Sequence, residues 1–309
     1  MIAGEMKTKW LVKLTRLNPA SGNGKCRGKA PHKPLLLFCL LDLAAAGELT
    51  ERSFTRTAGL VLRFKCYGAL VSERWPTRLD LRMPFFHLRT QGFWEAFTSE
   101  MSPAQSPESC LVCRLHEEFY ELLGDAEFRF QARLVLVSRY FEPRERIALL
   151  ESLGMVADGV EGVGGRMAEL NEEVAASARQ KGRSTRFAVQ VVSRYKFTCA
   201  LTGLCCLTTE GAAIVDAAHI ESFAHSQNDD IENGLALCKN AHWMFDEGLW
   251  SVRQDGRVIL AQQRFTEHGP EGLRLQPYAD RFLHFAPGVT LRPKPDYFAR
   301  HRHFHRLMA

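Results

Sequence analysis

The chain has 309 residues, of which 46% are hydrophobic and 24% charged, a composition that excludes a largely disordered protein. Its net charge of +5 mildly favours polyanionic partners, and no apolar run approaches the ~20 residues needed to span a bilayer. The first residues are too polar for a signal peptide, and nine cysteines, an odd number, fit a reduced compartment better than a disulfide framework, so we expect a cytoplasmic protein without membrane contact.

The first half of the chain is predicted to mix helices and strands. HKPLLLFCLLDLAAAGEL (32–49) is predicted to be helical, because Pro34 is tolerated in a first turn and Gly47 can end the helix. SFTRTAGLVLRFKCYGALV (53–71) is predicted as a second helix and MPFFHLRTQGFWEAF (83–97) as a short strand and turn. EEFYELLGD (117–125) and RFQARLVLVSRYF (129–141) are predicted as further helices.

A glycine-rich stretch without aromatic residues, MVADGVEGVGGR (155–166), indicates a linker. The following segment (167–199) is predicted as a charged helix, a break near Gly182 and another helix. The predicted organisation is therefore a domain at 1–154, a linker with a connecting helix at 155–182, and a second domain at 183–309.

The second domain carries polar residues at suggestive intervals. AAIVDAAHI (212–220) is predicted as a strand, on which Asp216 and Ala218 share one face. NGLALCKNAHWMFDEGLWSV (233–252) is predicted to open a helix, on which His242 and Asp246 share one face. Such a strand, loop and helix can converge on one divalent cation, because imidazole and carboxylate suit magnesium or a transition metal at an open catalytic site. The alternative is that these are hydrogen-bonded histidines of the core.

His219, Asn233 and His242 resemble the three residues that name the HNH nucleases, whose core is the ββα-metal fold. The flanking AAHI, NGLALC and HxxFDxG resemble the subgroup found in restriction endonucleases. The expected fold class is therefore α+β, with a mostly helical N-terminal DNA-reading domain and a C-terminal HNH domain.

The resemblance implies a role for each residue. His219 would be the general base that takes a proton from the attacking water, since imidazole has a pKa near ~6.5. His242 would bind the metal, Asp246 stands where many relatives have a second metal-binding histidine, and Asn233 would fix the loop that orients His219. Asp216 would bind the metal directly or hold one of its ligands. The expected cofactor is Mg²⁺ or Mn²⁺, with Co²⁺ or Ni²⁺ as alternatives.

Two departures from the family pattern stand out. Many relatives have an acid or histidine directly before the base, where this chain has Ala218, so we expect only two protein ligands to the metal. Many relatives also have a four-cysteine zinc site, whose places are here Cys199, Thr202, Cys238 and Ala241. Half of the ligands are missing, so we expect no structural zinc and core packing of these four residues.

APHKPLLLFCLLDL (30–43) together with MPFFHLRTQGFW (83–94) resembles the sulfur-binding domains of Type IV restriction enzymes. These enzymes cut phosphorothioate DNA, in which sulfur replaces a non-bridging phosphate oxygen. The domain order, sulfur-binding and then HNH, also matches that group.

A site that prefers sulfur should place apolar surface against it, because sulfur is a poor hydrogen-bond acceptor and a donor left unpaired costs about 1–3 kcal/mol. Met83, Pro84 and His87 are the candidate apolar wall, while His32, Lys33, Arg82 and Arg89 are candidates to hold the DNA backbone. The alternative is that the charges are solvated. For the aromatic residues Phe85, Phe86, Phe93 and Trp94 we favour core positions.

The predicted function is a metal-dependent DNA endonuclease that depends on phosphorothioation. Its partner would be double-stranded DNA, and it would be a homodimer because two strand cuts need two HNH sites. One alternative is that the first domain reads 5-methylcytosine, through an aromatic cage built from MPFFH and Trp75, or reads a plain sequence. The other is a DNA-binding regulator that does not cut, although the joint presence of His219, Asn233 and His242 argues against it.

Overall fold

The computed structural model describes residues 2–155 and 171–307. The chain divides into two compact units, Met1–Arg186 and Phe187–Ala309. Both contain helices and strands, so the α+β prediction is confirmed. Residues 156–170, which include most of the predicted linker, lie outside the described residues. Over the described ranges, none of the helices combines the length and apolarity required to cross a membrane.

The first unit is mostly helical. Its helices are α1 (Ile2–Thr15), α2 (His32–Ala45), α3 (Ala58–Ala69), α4 (Arg82–His87), α5 (Glu117–Leu123), α6 (Ala126–Tyr140) and α7 (Pro143–Ser152), and α8 (Glu172–Arg194) begins in it. Strands β1 (Ser53–Thr55), β2 (Trp94–Phe97) and β3 (Val112–Leu115) form an antiparallel sheet with β3 in the centre.

Helix α2 is the centre of this unit. Its residues from Pro34 to Leu41 are all buried, because the sequence is apolar on every side and α3, α4, α5 and α6 pack around it. Gly47 ends the region with a φ of +70°, in the left-handed conformation that favours glycine. The predicted helix at 32–49 is therefore confirmed, as are the two predicted over residues 117–141.

Two predictions in the first unit are wrong in part. Residues 53–55 form β1 before α3 begins, and residues 82–87 form helix α4, whereas the short strand predicted within 83–97 is found as β2 at Trp94–Phe97. Asp80 accepts a hydrogen bond from the Arg82 backbone N–H, and Pro84 falls in the first turn, where a missing N–H is tolerated. The four aromatic residues expected in the core are indeed buried: Phe85, Phe86, Phe93 and Trp94.

The break predicted near Gly182 is also wrong, since α8 runs without interruption from Glu172 to Arg194. The glycine is explained by close packing against α7. A Cβ at Gly182 would lie 2.5 Å from the Ala148 carbonyl oxygen and 2.6 Å from the Glu151 Cβ. The glycine therefore lets α7 approach the α8 backbone and does not end the helix.

The second unit contains strands β4 (Val215–His219), β5 (Gly234–Cys238), β6 (Trp250–Val252) and β7 (Val258–Leu260), and helices α9 (Phe223–Ser226), α10 (Lys239–Asp246) and α11 (Pro295–Phe304). β4 pairs antiparallel with β5, with His219 opposite Gly234, and α10 follows β5 directly. The predicted strand at 212–220 is confirmed over its second half. The helix predicted to open after Asn233 is wrong over its first five residues, which form β5.

Candidate functional site

An open cavity of about 460 Å³ lies in the second unit beside β4, α10 and α11. His219 at the end of β4 and His242 and Asp246 on α10 all line it. The structure therefore brings together three of the predicted site residues. Side chains of the loop after β4 and of α11 complete the wall: Glu221, Phe223, His225, Arg300, His301 and His305.

His219 is held on two sides. The Phe187 ring of α8 lies parallel to its imidazole, with ring centroids 3.8 Å apart and an interplanar angle of 4°. Its Nε2 lies 2.9 Å from Oδ1 of Asp229, whose side chain is only 8% exposed. The His219 side chain is 21% exposed, so it reaches the cavity while remaining packed. Asp229 was not predicted from the sequence, because a loop carboxylate carries no periodic signal.

Asn233 is fully buried and does not reach the cavity itself. Its Oδ1 accepts a 2.8 Å hydrogen bond from the Glu221 N–H, and its Nδ2 donates to the carbonyl oxygens of Glu221 at 3.0 Å and Asn228 at 3.1 Å. The Ile220 N–H donates to the Asn233 carbonyl oxygen. One amide therefore ties both ends of the loop that follows His219.

His242 and Asp246 are four residues apart on α10, with Nε2 and Oδ2 at 3.4 Å. Burial raises the pKa of the Asp246 carboxyl, and the neighbouring His242 opposes this rise. An imidazole nitrogen and a carboxylate oxygen facing one cavity fit a divalent metal that keeps most of its positions for water and phosphate. Among the described residues, no group of three His, Cys, Asp or Glu side chains meets the geometry of a complete metal site.

Asp216 does not join these residues, which corrects the prediction that it serves the metal. Side chains alternate along a strand, so Asp216 and His219 lie on opposite faces of β4. Its Oδ2 accepts a hydrogen bond from Nζ of Lys239 on the first turn of α10. The carboxylate is therefore paired with a lysine away from the cavity.

Helix α11 contributes a histidine pair that the sequence did not single out. His301 is buried, stacks on Phe245 and contacts Ser251 Oγ at 2.9 Å. Burial lowers the pKa of His301 to about 3, so it is neutral at pH 7. The His305 ring packs on Gly248, where a Cβ would lie 2.3 Å from Nδ1. These contacts fix α11 as one wall of the cavity.

The four residues at the positions of the family's zinc site belong largely to the core of the second unit. Cys199, Cys238 and Ala241 are buried as expected, and Thr202 is half-buried. The Cys199 and Cys238 sulfur atoms are 3.7 Å apart. The thiols therefore contact each other inside the core of the second unit.

The candidate sulfur-binding residues gather at the start of α2 and along α4 in the first unit. Burial lowers the pKa of His32 and of His87, and the charges of Lys33 and Arg89 lower that of His87 further. The positive groups therefore lie close enough to His87 to act on it. Met83 is 43% exposed, whereas Pro84 is buried and is not part of an open apolar wall.

The four residues proposed to hold the DNA backbone differ in their contacts. Arg82 makes a two-pronged ion pair with Asp80, at 2.8 and 3.1 Å. Lys33 Nζ donates to the Asn18 carbonyl oxygen at 2.8 Å, and the Arg89 guanidinium lies 4.0 Å from the Phe86 ring centroid. His32 meets Trp75 edge to face at 5.8 Å.

Comparison with known proteins yields two domain matches. The family model of the ScoMcrA-like DNA sulfur-binding domain matches residues 7–158, and that of an HNH endonuclease matches residues 199–253. Among solved structures, a modification-dependent TagI restriction endonuclease is similar, with 21% sequence identity and a TM-score of 0.30. The similarity covers 38% of this chain and 37% of that chain. A search of curated proteins gave no match.

Proposed function

Since this chain carries a ScoMcrA-like DNA sulfur-binding domain followed by an HNH endonuclease domain, we propose that it is a Type IV, modification-dependent restriction endonuclease. It recognises phosphorothioated double-stranded DNA through the first unit and hydrolyses a nearby phosphodiester bond in the second. Its matched region spans 37% of the similar restriction endonuclease.

One observation carries the nuclease proposal: His219 and the His242–Asp246 pair line the same cavity from two different elements. A DNA phosphate entering this cavity would have an imidazole on one side and two metal-binding groups on the other. His219 takes the proton of a water molecule, and the resulting hydroxide attacks phosphorus. Asn233 keeps the loop after His219 in place, so the base stays aimed at the cavity.

The His242 nitrogen and the Asp246 carboxylate would hold the divalent metal. When bound, such a metal stabilises the negative charge that develops on the phosphate and the leaving oxygen. With only two protein ligands, the ion would keep room for the phosphate. Mg²⁺ and Mn²⁺ are our first candidates, followed by Co²⁺ and Ni²⁺.

The sulfur-reading proposal is supported by the surroundings of Met83. Met83 is exposed and lies four residues before His87 on α4, so the two share a face, and the charges of Lys33 and Arg89 act on His87. This surface offers apolar contact for sulfur and cations for the other phosphate oxygen. The methylcytosine alternative is less well supported, because Phe85 and Phe86 are buried in the core and Trp75 packs against His32. A cage for a flipped base needs aromatic faces that are free.

Two further parts of the proposal concern assembly and location. We propose a homodimer, because cutting both strands requires two HNH sites. We propose a cytoplasmic protein on the odd number of cysteines.

The test is a plasmid digestion with the full chain and each of Mg²⁺, Mn²⁺, Co²⁺ and Ni²⁺ in turn, on phosphorothioated, cytosine-methylated and unmodified DNA of one sequence. We expect cleavage of the phosphorothioated plasmid only. The matched control is His219→Ala, which should lose cleavage and still retard phosphorothioated duplex in a gel. Equal cleavage of all three plasmids would refute modification dependence, and no cleavage by the wild type with any of the four metals would refute the nuclease.

A further inference from the structure

We propose that Asp229 is the positioning residue of the base: it keeps the His219 proton on Nε2 and leaves Nδ1 as the nitrogen that receives the proton of water. The inference rests on the proposed nuclease function and adds a residue and a tautomer to it. The family resemblance does not supply this residue, which follows from the contacts of His219 alone.

The geometry places the carboxylate behind the base. Asp229 Oδ1 lies 2.9 Å from His219 Nε2, within hydrogen-bonding distance. His219 lines the cavity, whereas Asp229 is not among the described residues that do so. The Asp229 side chain is only 8% exposed, so the residues around it shield its carboxylate from solvent. A carboxylate in this position addresses the imidazole and not the substrate.

The second carboxylate oxygen strengthens the assignment. Oδ2 of Asp229 is buried, and within the described residues it has no hydrogen-bond partner. A buried polar atom without a partner opposes folding. Asparagine would supply a neutral acceptor at the same place, so the presence of a carboxylate points to a role beside the imidazole. When His219 accepts a proton and becomes an imidazolium, the carboxylate can stabilise its positive charge.

The hydrogen bond selects one tautomer. A neutral imidazole carries one N–H, and an ionised carboxylate can only accept, so the proton must be on Nε2. The lone pair is then on Nδ1. In the reaction an O–H bond of water breaks, its proton forms an N–H bond at Nδ1, and the hydroxide attacks phosphorus. The imidazolium formed is stabilised by the negative charge 2.9 Å from Nε2.

The loop fixes Asp229 through both of its neighbours. The Asn228 carbonyl oxygen accepts from Asn233 Nδ2 at 3.1 Å, and Asn228 Oδ1 accepts from the Asp230 N–H at 2.9 Å. Asp230 uses its own carboxylate elsewhere, accepting from the Glu232 N–H at 3.0 Å and from the Tyr297 hydroxyl at 3.1 Å. Of the two adjacent acids, Asp229 is therefore the one whose charge is directed at His219.

Other ionisable groups line the same cavity and must stay unchanged in a test. They are His242 and Asp246 on α10, Glu221 after β4, His225 on α9, Arg300 on α11 and His305 directly after α11. Arg300 is paired with Glu221 at 2.8 Å. The His219–Asp229 hydrogen bond involves none of these residues. A substitution at Asp229 therefore alters that hydrogen bond and leaves these groups in place.

The experiment compares Asp229→Ala and Asp229→Asn with the wild-type full chain, and with Asp255→Ala as a control. Asp255 lies in the turn between β6 and β7 and is 55% exposed, so its removal takes away one carboxylate of the same unit far from the base in sequence. We expect kcat for phosphorothioated DNA to fall about 10²- to 10⁴-fold in both Asp229 variants, with KM little changed. Asp255→Ala should cleave at the wild-type rate.

The second readout is the tautomer, observed by ¹⁵N NMR of histidine-labelled protein, with the His219 signals assigned by their loss in His219→Ala. We expect the wild type to show a protonated Nε2 and a bare Nδ1, and Asp229→Ala to show a mixture. A wild-type Nδ1–H tautomer, or full cleavage by both Asp229 variants, would overturn the assignment. If the wild type fails to cut any DNA, the nuclease proposal fails, and the NMR result still decides the tautomer. Asp229→Asn is nearly isosteric and keeps the test valid if the alanine variant does not fold.

Discussion

Phe187 lies flat against His219, with ring centroids 3.8 Å apart and planes that differ by 4°. The contact depends on Gly234, which pairs with His219 across β4 and β5. A Cβ on Gly234 would lie 2.3 Å from Val191 Cγ2 and 3.1 Å from the Phe187 ring. The glycine thus lets α8 close onto the sheet, and the stacked ring fixes the plane of the candidate base.

Replacing Phe187 with leucine should therefore reduce the cleavage rate strongly while reducing the free energy of unfolding only moderately. We expect kcat to fall about 10- to 100-fold, because an imidazole that is free to tilt is oriented correctly toward the attacking water only part of the time. Unfolding free energy should fall by about 1–2 kcal/mol, as for other reshaped core positions. Val191→Ala is the matched control, since Val191 is equally buried and does not stack on the imidazole. If both variants lose the same stability and the same activity, the stack has no specific role.

Removal of the metal should stop cleavage, and restoring cleavage by added metal should require His242. We expect chelation by EDTA to abolish cleavage and Mn²⁺ or Mg²⁺ to restore it. His242→Ala should lose at least about 100-fold in cleavage at any metal concentration, since it keeps only the Asp246 carboxylate. Titration calorimetry with Mn²⁺ gives metal binding independently of cleavage. Full activity after EDTA treatment would contradict the assignment.

Met83 should set the preference for sulfur over oxygen. In the inactive His219→Ala background, Met83→Gln should weaken binding to phosphorothioate duplex about tenfold, because an apolar contact of this size contributes about 1.5–3 kcal/mol when buried. Binding to the matched unmodified duplex should be unchanged. Both affinities must be measured at one salt concentration, since phosphate contacts dominate non-specific binding. An equal loss for both duplexes would assign Met83 to general DNA binding.

The second unit should lose stability in mild acid because of His301. Burial lowers its pKa to about 3, whereas an unfolded histidine titrates near ~6.5. The unfolded state therefore binds the proton first, and the stabilisation is complete above pH 6.5 and is lost as the pH falls towards 3. Between pH 7 and pH 5 we expect a loss of about 2 kcal/mol from this group. Urea unfolding at both pH values should show a smaller difference in His301→Gln than in the wild type.

Gly182→Ala should destabilise the first unit even though alanine is the better helix former. The intrinsic gain is about 1 kcal/mol, but the new Cβ would lie 2.5 Å from a backbone oxygen of α7 that cannot move freely. We expect a net loss of about 1–3 kcal/mol in thermal unfolding. Gly4→Ala is the control, because that glycine in α1 has open space around it. A rise in the melting temperature of Gly182→Ala would show that the two helices separate readily.

Site residues could be predicted from the sequence where the spacing between residues determines their relative positions. His219, His242 and Asp246 could be predicted as one site, because a strand end and one face of a helix place side chains in a fixed way. β5 was missed because all five of its residues are buried, so the sequence has no alternation to separate a strand from a helix. Asp229 was missed because its position depends on how Asn233 folds the loop. The role of Gly182 depends on neighbours in α7 that are distant in sequence.

The hydrogen bonds of Asn233 separate two tasks within one short stretch of chain. Its amide joins Glu221 in both directions, which closes the loop at its base directly after His219. Phe223 and His225, which face the cavity, lie on this loop. Phe223 also contacts the His219 ring, with centroids 5.5 Å apart, and Asp229 lies in the same loop. A change in the fit to the DNA strand that leaves the hydrolytic apparatus intact is therefore best made at His225.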